Sequence, residues 1–566
     1  MSVYDFDELR RCTLKEKGKL LVNRFKDKYE KEYKGKPITA LSFSDKKLYY
    51  INGDRSAFEK QYYDRRNRLA LLQVLAVADD SYLDELEDVL FAICEESTWV
   101  LPAHNLLPDN TFDHTVIDLF SAETALYLSE TVYTFGSKLS PYIVKLIRST
   151  VEERIIKNYE NRVFDFERAT INWASVCACG VGLSFLYLFP DKFNSVKERL
   201  FSTFKSYLEG FDEQGICDEG MVYWQYGFAM FSVFFNAYIE IMENRPDFLD
   251  DEKTIRVLKY AQRTEMGDGV YFPFADGGAK KFTPGVSSFL TIKNLYKNDF
   301  TLPHLSFFDC DEKDFKIGKP QWLKALYYVD EFLTGVNNCQ RKDVTTYYES
   351  AQIFFHRNKT YSFVVKGGNN GDSHNHNDVG AFQIVKDSKR LITDYGAGKY
   401  TKDYFNEENG RYSDDVFVCG SQSHSVPIID GTCQSYGKEY KARLVKFDNK
   451  SITFDLVGAY KVDCRKVLSK YTVFGERVQI EYLVDGINNN VIFRFASDIE
   501  PKLMGGFVQI ADMKISCDRS LVPNIRKINI EGHFNPDVIY IIDYQVINEE
   551  SVEIKFDFSF EKGTNE

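Results

Sequence analysis

At 566 residues the chain is too long for one ordinary core, so two or three domains are expected. The composition is globular, 44% hydrophobic and 27% charged, and a formal charge of −13 excludes nucleic acid or an anionic membrane as the main partner, since both demand a basic footprint. The start, Met1 to Arg11, lacks a basic segment followed by an apolar one, and no run of about 18 apolar residues follows, so a cytoplasmic location with no membrane span is expected.

The eleven cysteines are scattered without CxxC pairs, which fits buried free thiols in a reducing compartment. Residues 1–58 form an N-terminal segment, and 59–340 read as a helical domain. Ile117 to Leu128 carries apolar residues at helical spacing, and Ser140-Pro141 supplies an N-cap and first position for the next helix. Val176 to Leu188 is apolar all round, as a helix buried on every side requires, with Gly180 and Gly182 admitting a close neighbour. Tyr223 to Ile241 is another long apolar helix, and the succession predicts paired helices in a ring or solenoid.

Near residue 340 the texture changes. Tyr347 to Phe355, Tyr361 to Lys366, Ala381 to Val385, Arg390 to Thr393, Ser451 to Val457, Val478 to Val484, Val491 to Phe495 and Val552 to Phe560 are strand-like runs separated by Gly, Asn and Asp. Strands after helices give an α+β chain, with residues 341–566 an antiparallel β-sandwich and the junction at 337–343.

The densest polar stretch is Asp372-Ser373-His374-Asn375-His376-Asn377-Asp378, which holds two of the eight histidines. If extended, it would point both imidazoles to one face, as metal ligands, acid/base groups or one of each. Downstream, Asp394 and His424 each sit at a strand end beside small turn residues. His376, Asp394 and His424 with a water would make a zinc set, and a hydrogen-bonded polar cluster is the alternative. Asn172 and Trp173 stand at the entrance of a buried helix, where free N–H groups suit a carboxylate; capping and packing explain them equally. Tyr223 and Tyr226 share a helical face, either as acid/base groups or as packing. Trp99 and His104 flank a proline turn that could line a subsite or the core.

Taken together, Ser373 to Gly380, Asp394-Tyr395-Gly396-Ala397-Gly398, the His424 to Gly431 segment, Asn172-Trp173 and Glu219 to Gly227 resemble the heparinase II/III family of polysaccharide and oligosaccharide lyases. The resemblance runs from about Trp99 to Gly431 and implies an (α/α) toroid followed by an antiparallel β-sandwich. It implies β-elimination at a uronic acid, with Asn172 and a nearby arginine neutralising the substrate carboxylate, and Arg411 is counted among the substrate-binding residues. Tyr226 is the implied acid/base group in preference to Tyr223, with His374 as its partner facing the helical side. Trp99, His104, Trp173 and Tyr223 are left to bind sugar. His376, Asp394 and His424 fall on positions of a structural zinc ion.

The chain departs from some members in having asparagine at 172 where they place histidine. Its acidity and start suit a short, imported uronate oligosaccharide, cut exolytically, better than a long sulfated glycosaminoglycan-like polymer. A homodimer is in keeping with such proteins. The competing readings are a glycoside hydrolase using Asp218 and Glu219, and a non-catalytic, zinc-stabilised glycan-binding protein.

Overall fold

The computed structural model describes residues 5–105, 115–267, 269–272, 274–277, 286–297, 300, 322–323, 326–328, 343–406, 410–413, 416–531 and 536–560. The predicted junction at 337–343 lies outside these residues apart from Asp343. Two compact units divide the chain. The first comprises Met1–Phe211, Trp224–Lys259 and Thr283–Asn338; the second comprises Asp212–Tyr223, Tyr260–Phe282 and Cys339–Glu566. The helix-rich region is an (α/α) toroid and the C-terminal region an antiparallel β-sandwich, as expected.

In the first unit the helix Asn172–Leu188 is buried along all but one of its residues, Trp173, which accounts for its uninterrupted apolar sequence. Small residues let neighbours close on it. A Cβ at Gly180 would stand 2.2 Å from the Ala122 carbonyl oxygen of the helix Leu119–Phe135. A Cβ at Gly182 would stand 2.5 Å from the Phe234 ring. Phe204, Phe231, Phe234 and Phe235 then pack ring on ring, each buried phenyl contributing roughly 2 kcal/mol. Local signals hold at the helix ends. Ser140 caps Pro141–Val151 by accepting from the Tyr142 N–H at 3.3 Å. Asp118 and Ser121 form a reciprocal capping box ahead of Leu119–Phe135.

The second unit holds an eight-stranded, a five-stranded and a four-stranded sheet, each antiparallel, among its described residues. Lys466–Val473, Arg477–Asp485 and Ser551–Phe560 alternate strictly between buried and more exposed residues, so one face of the large sheet meets the core. Ser362–Lys366, by contrast, is buried at every position. Phe363, Phe382, Tyr471, Phe495 and Phe558 join the sheets.

The single run expected from Tyr347 to Phe355 is instead two paired strands, Val344–Tyr348 and Ile353–Arg357. Gln352 takes a φ of 50° at the turn between them. The strand expected through the histidine stretch is also absent. Asn369–Asn370 and Phe382–Lys386 flank an irregular turn, and His374 sits within it at a left-handed φ of 54°.

Candidate active site and metal pocket

Three short pieces of the second unit bring the chemistry together. The turn before Phe382–Lys386 carries both histidines. The first turn of the helix Met221–Met242, with the residues before it, carries Glu219 and Tyr223. The single turn Ala275–Gly277 carries Asp276, introduced by Ala275 at a φ of 58°. Non-glycine residues held at positive φ, as at Ala275 and His374, mark strain that the surroundings must offset, and such strain clusters at functional sites.

Asp276 is fully buried. Its Oδ2 accepts from Nδ1 of His374 at 2.7 Å, and its Oδ1 from Nε2 of His376 at 3.0 Å. Arg411 donates to the same Oδ1 at 3.0 Å, and Tyr404 donates to it through a very short hydrogen bond. Burial opposes ionisation here, but the bonds from His374 and His376 and the Arg411 charge prevail, holding the carboxyl well below its usual range.

Tyr223 stacks on His374 with ring centroids 4.4 Å apart and planes at 25°. Its hydroxyl lies 3.4 Å from His374 Nδ1 and 2.8 Å from the Tyr400 hydroxyl, and Tyr400 in turn donates to Asp276 Oδ2 at 3.4 Å. Burial foremost, with Tyr400 and Asp276 adding to it, raises the Tyr223 phenol well above its ordinary range. The far nitrogen of His374, Nε2, is 3.8 Å from Glu219. Asp218, beside Glu219 in sequence, is pushed up to about 7 by burial and by Asp372.

His376, Asp394 and His424 come together as expected: each offers one donor atom within 4.8 Å of the others, and all three are buried. Asp394 follows the strand Lys389–Ile392, and His424 precedes Pro427–Ile429. His424 Nε2 donates to the Val418 carbonyl at 3.1 Å, and His376 Nε2 is taken by Asp276. That leaves Nδ1 of both rings facing Asp394, at 3.8 Å for His376 and 3.1 Å for His424. Neither Nδ1 atom nor Asp394 Oδ2 makes a hydrogen bond of proper geometry, although all are buried. Three convergent, unsatisfied donor atoms with their opposite sides tied down fit a bound cation. Cys419 adds a second grouping with His376 and Asp276.

The remaining predicted residues separate. His104, in the turn Pro102–His104, bonds through Nδ1 to Asp118 at 2.9 Å. It stacks on Phe120 and lies 4.8 Å from the Trp173 ring, so the first unit does bring His104 and Trp173 together. Asn172 is the first residue of its helix rather than its cap, which is Ile171. Tyr226 belongs to the first unit, where burial and then Glu123, Tyr127 and Tyr63 raise its phenol.

Trp99 is sealed in the core of the first unit. Its Nε1 donates to the Ile93 carbonyl at 2.9 Å and the Arg154 guanidinium covers its ring, so no face is left for a sugar. Arg411 is equally committed: Nε and Nη1 donate to the Asn375 and Tyr404 carbonyls at 3.1 and 3.0 Å, and Nη2 to Asp276. These three bonds tie it to the turn that carries His374 and to Asp276.

Residues 344–463 match the family Heparinase II/III-like, C-terminal. No curated protein matches the chain in sequence. A crystal structure of heparinase III aligns with a TM-score of 0.62 at 12% identity, covering 90% of this chain and 78% of that one. Heparan sulfate lyase HepC from Pedobacter heparinus aligns at 0.57 and 11%, covering 97% and 89%. The chondroitin AC lyase of Streptomyces coelicolor A3, solved with chondroitin sulphate, aligns at 0.58 and 9%, covering 99% and 83%. At such identities the likeness is one of fold.

Proposed function

We propose that the protein is a lyase that cleaves uronate-containing oligosaccharides by β-elimination, leaving a 4,5-unsaturated uronate. The observation that carries this reading is the stacked Tyr223–His374 pair, held by Asp276 on a lyase fold. With its Nδ1 proton engaged by Asp276, His374 offers the Nε2 lone pair as a base for the proton on C5. The electrons of that C–H bond form the C4=C5 double bond, and the C4–O4 bond breaks. The raised phenol of Tyr223 stays protonated and supplies the proton that O4 takes as it leaves. The resemblance had favoured Tyr226 for this work; the contact of Tyr223 with His374 favours Tyr223. Neutralisation of the substrate carboxylate is assigned to Asn172 on the motif alone.

His376, Asp394 and His424 would hold a zinc ion, whose chemistry here is to balance buried charge and brace the turn that presents His374. A net charge of −13 favours a short oligosaccharide over a long polyanion, and exolytic action on imported fragments is part of the same proposal.

The test is incubation with a panel of uronate oligosaccharides while following ultraviolet absorbance. A rise in absorbance is expected. Reducing ends released without absorbance would mean hydrolysis, and neither signal across the panel would leave a glycan-binding scaffold.

A further inference from the structure

Asp276 touches both histidines, and an ionised carboxylate can only accept hydrogen bonds. Five donor groups converge on it: His374 Nδ1, His376 Nε2, Arg411 Nη2 and the hydroxyls of Tyr404 and Tyr400. One carboxylate therefore requires opposite tautomers of two neighbouring rings. His376 must carry its proton on Nε2, which turns the Nδ1 lone pair toward Asp394 and His424. His374 must carry its proton on Nδ1, which leaves Nε2 as the basic atom.

We propose that Asp276 is a positioning residue that couples the ion pocket to the acid/base histidine. The proposal rests on the lyase reading for the role of His374 and on the cation fit of the pocket. An ion on His376 Nδ1 fixes that ring, the ring fixes Oδ1, and Oδ2 then fixes His374. Arg411 and Tyr404 hold the carboxylate against rotation, which explains why a fully buried arginine is spent on this site. An empty pocket removes the hold on His376 Nδ1, so that ring is restrained from the Asp276 side only and the restraint on His374 weakens with it.

The experiment uses the full chain with 15N-labelled histidine. Zinc is removed by chelation and added back while the ring-nitrogen resonances are followed. The expected result is that the His374 resonances respond in step with those of His376, saturating at one zinc per chain. His374 resonances that stay unchanged while His376 and His424 respond would overturn the coupling.

Asp276→Asn supplies a second arm, since an amide can accept through only one of its two terminal atoms. Zinc affinity is expected to fall roughly 10- to 100-fold. The kcat is expected to fall roughly 100-fold with KM within about threefold. Unchanged zinc affinity together with an unchanged His374 tautomer would also overturn the proposal. Should the variant not fold, the zinc titration of the unaltered protein decides. A wild-type protein inactive on every uronate substrate would sink the lyase reading while leaving the resonance test intact.

Discussion

The imidazole of His374 lies nearly parallel to the phenol of Tyr223, and the Nδ1 atom on its edge is anchored 2.7 Å from Asp276. Stacking limits tilt and the hydrogen bond limits spin, so the ring has little freedom left. Replacing Tyr223 by phenylalanine keeps the stack and removes only the hydroxyl. Turnover is expected to fall by roughly 100- to 10,000-fold. Stability should change by about 1 kcal/mol or less, the net worth of one hydrogen bond. Steady-state kinetics on Tyr223→Phe and Tyr226→Phe, side by side, check this. A larger loss in Tyr226→Phe would reverse the assignment.

The second expectation concerns His424, whose Nε2 bond to Val418 orients Nδ1 toward Asp394. His424→Ala should lose metal by elemental analysis. In the parent protein, an ion present at about 100 times its Kd contributes about 2.7 kcal/mol. Chelation should therefore lower the melting temperature of the parent but not of the variant. Equal chelator sensitivity in the two proteins would remove His424 from the pocket.

Gly180 gives a test of packing in the helical unit. Its absent Cβ would stand 2.2 Å from a backbone oxygen, which no rotamer change relieves. Gly180→Ala should cost about 1–3 kcal/mol, because two helices must move apart. Urea unfolding followed by tryptophan fluorescence measures it, and a neutral outcome would mean the helix pair is looser than described.

Glu130 provides a pH prediction. It is buried in the helix Leu119–Phe135, its Oε2 has no hydrogen-bond partner, and burial pushes its carboxyl up to about 8. The folded chain therefore holds a proton that the unfolded chain has released. Its contribution is fully present below the unfolded value near 4.5 and is lost as pH rises toward 8, at about 1.4 kcal/mol per unit. Glu130→Gln should flatten the stability profile across that window and be the more stable protein at its upper end. Parallel slopes for variant and parent in urea titrations at several pH values would refute it.

Much of this was legible from sequence because local chemistry controls it. The all-apolar run from Val176 predicted a helix buried on every side, and Ser140-Pro141 marked a helix start. The small residues around Asp394 and His424 marked strand ends that converge on His376. Other features depend on long-range placement. Two-residue periodicity predicted a common face for His374 and His376, yet the chain turns there, and the rings meet at Asp276 through different nitrogens. Asp276 lies in Phe274-Ala275-Asp276-Gly277, where the only signal is a lone acid among apolar residues. Tyr223 and Tyr226 share a helical face, and it is the contact of Tyr223 with His374 that separates them. The sequence offers Arg411 as a substrate-binding candidate because it does not reveal that two backbone carbonyls and a carboxylate engage three of its five N–H donors.

The pocket also bears on the long segment between Asp394 and His424, whose named elements among the described residues are the short turns Asp403–Phe405 and Ser421–Ser423. So long an irregular connection is costly to close. All nine cysteines among the described residues are free thiols. An ion held by His376, Asp394 and His424 would knot both ends of that segment to the turn before Phe382–Lys386, as a reversible cross-link. Metal supply would then govern how readily a protease can enter this part of the sandwich.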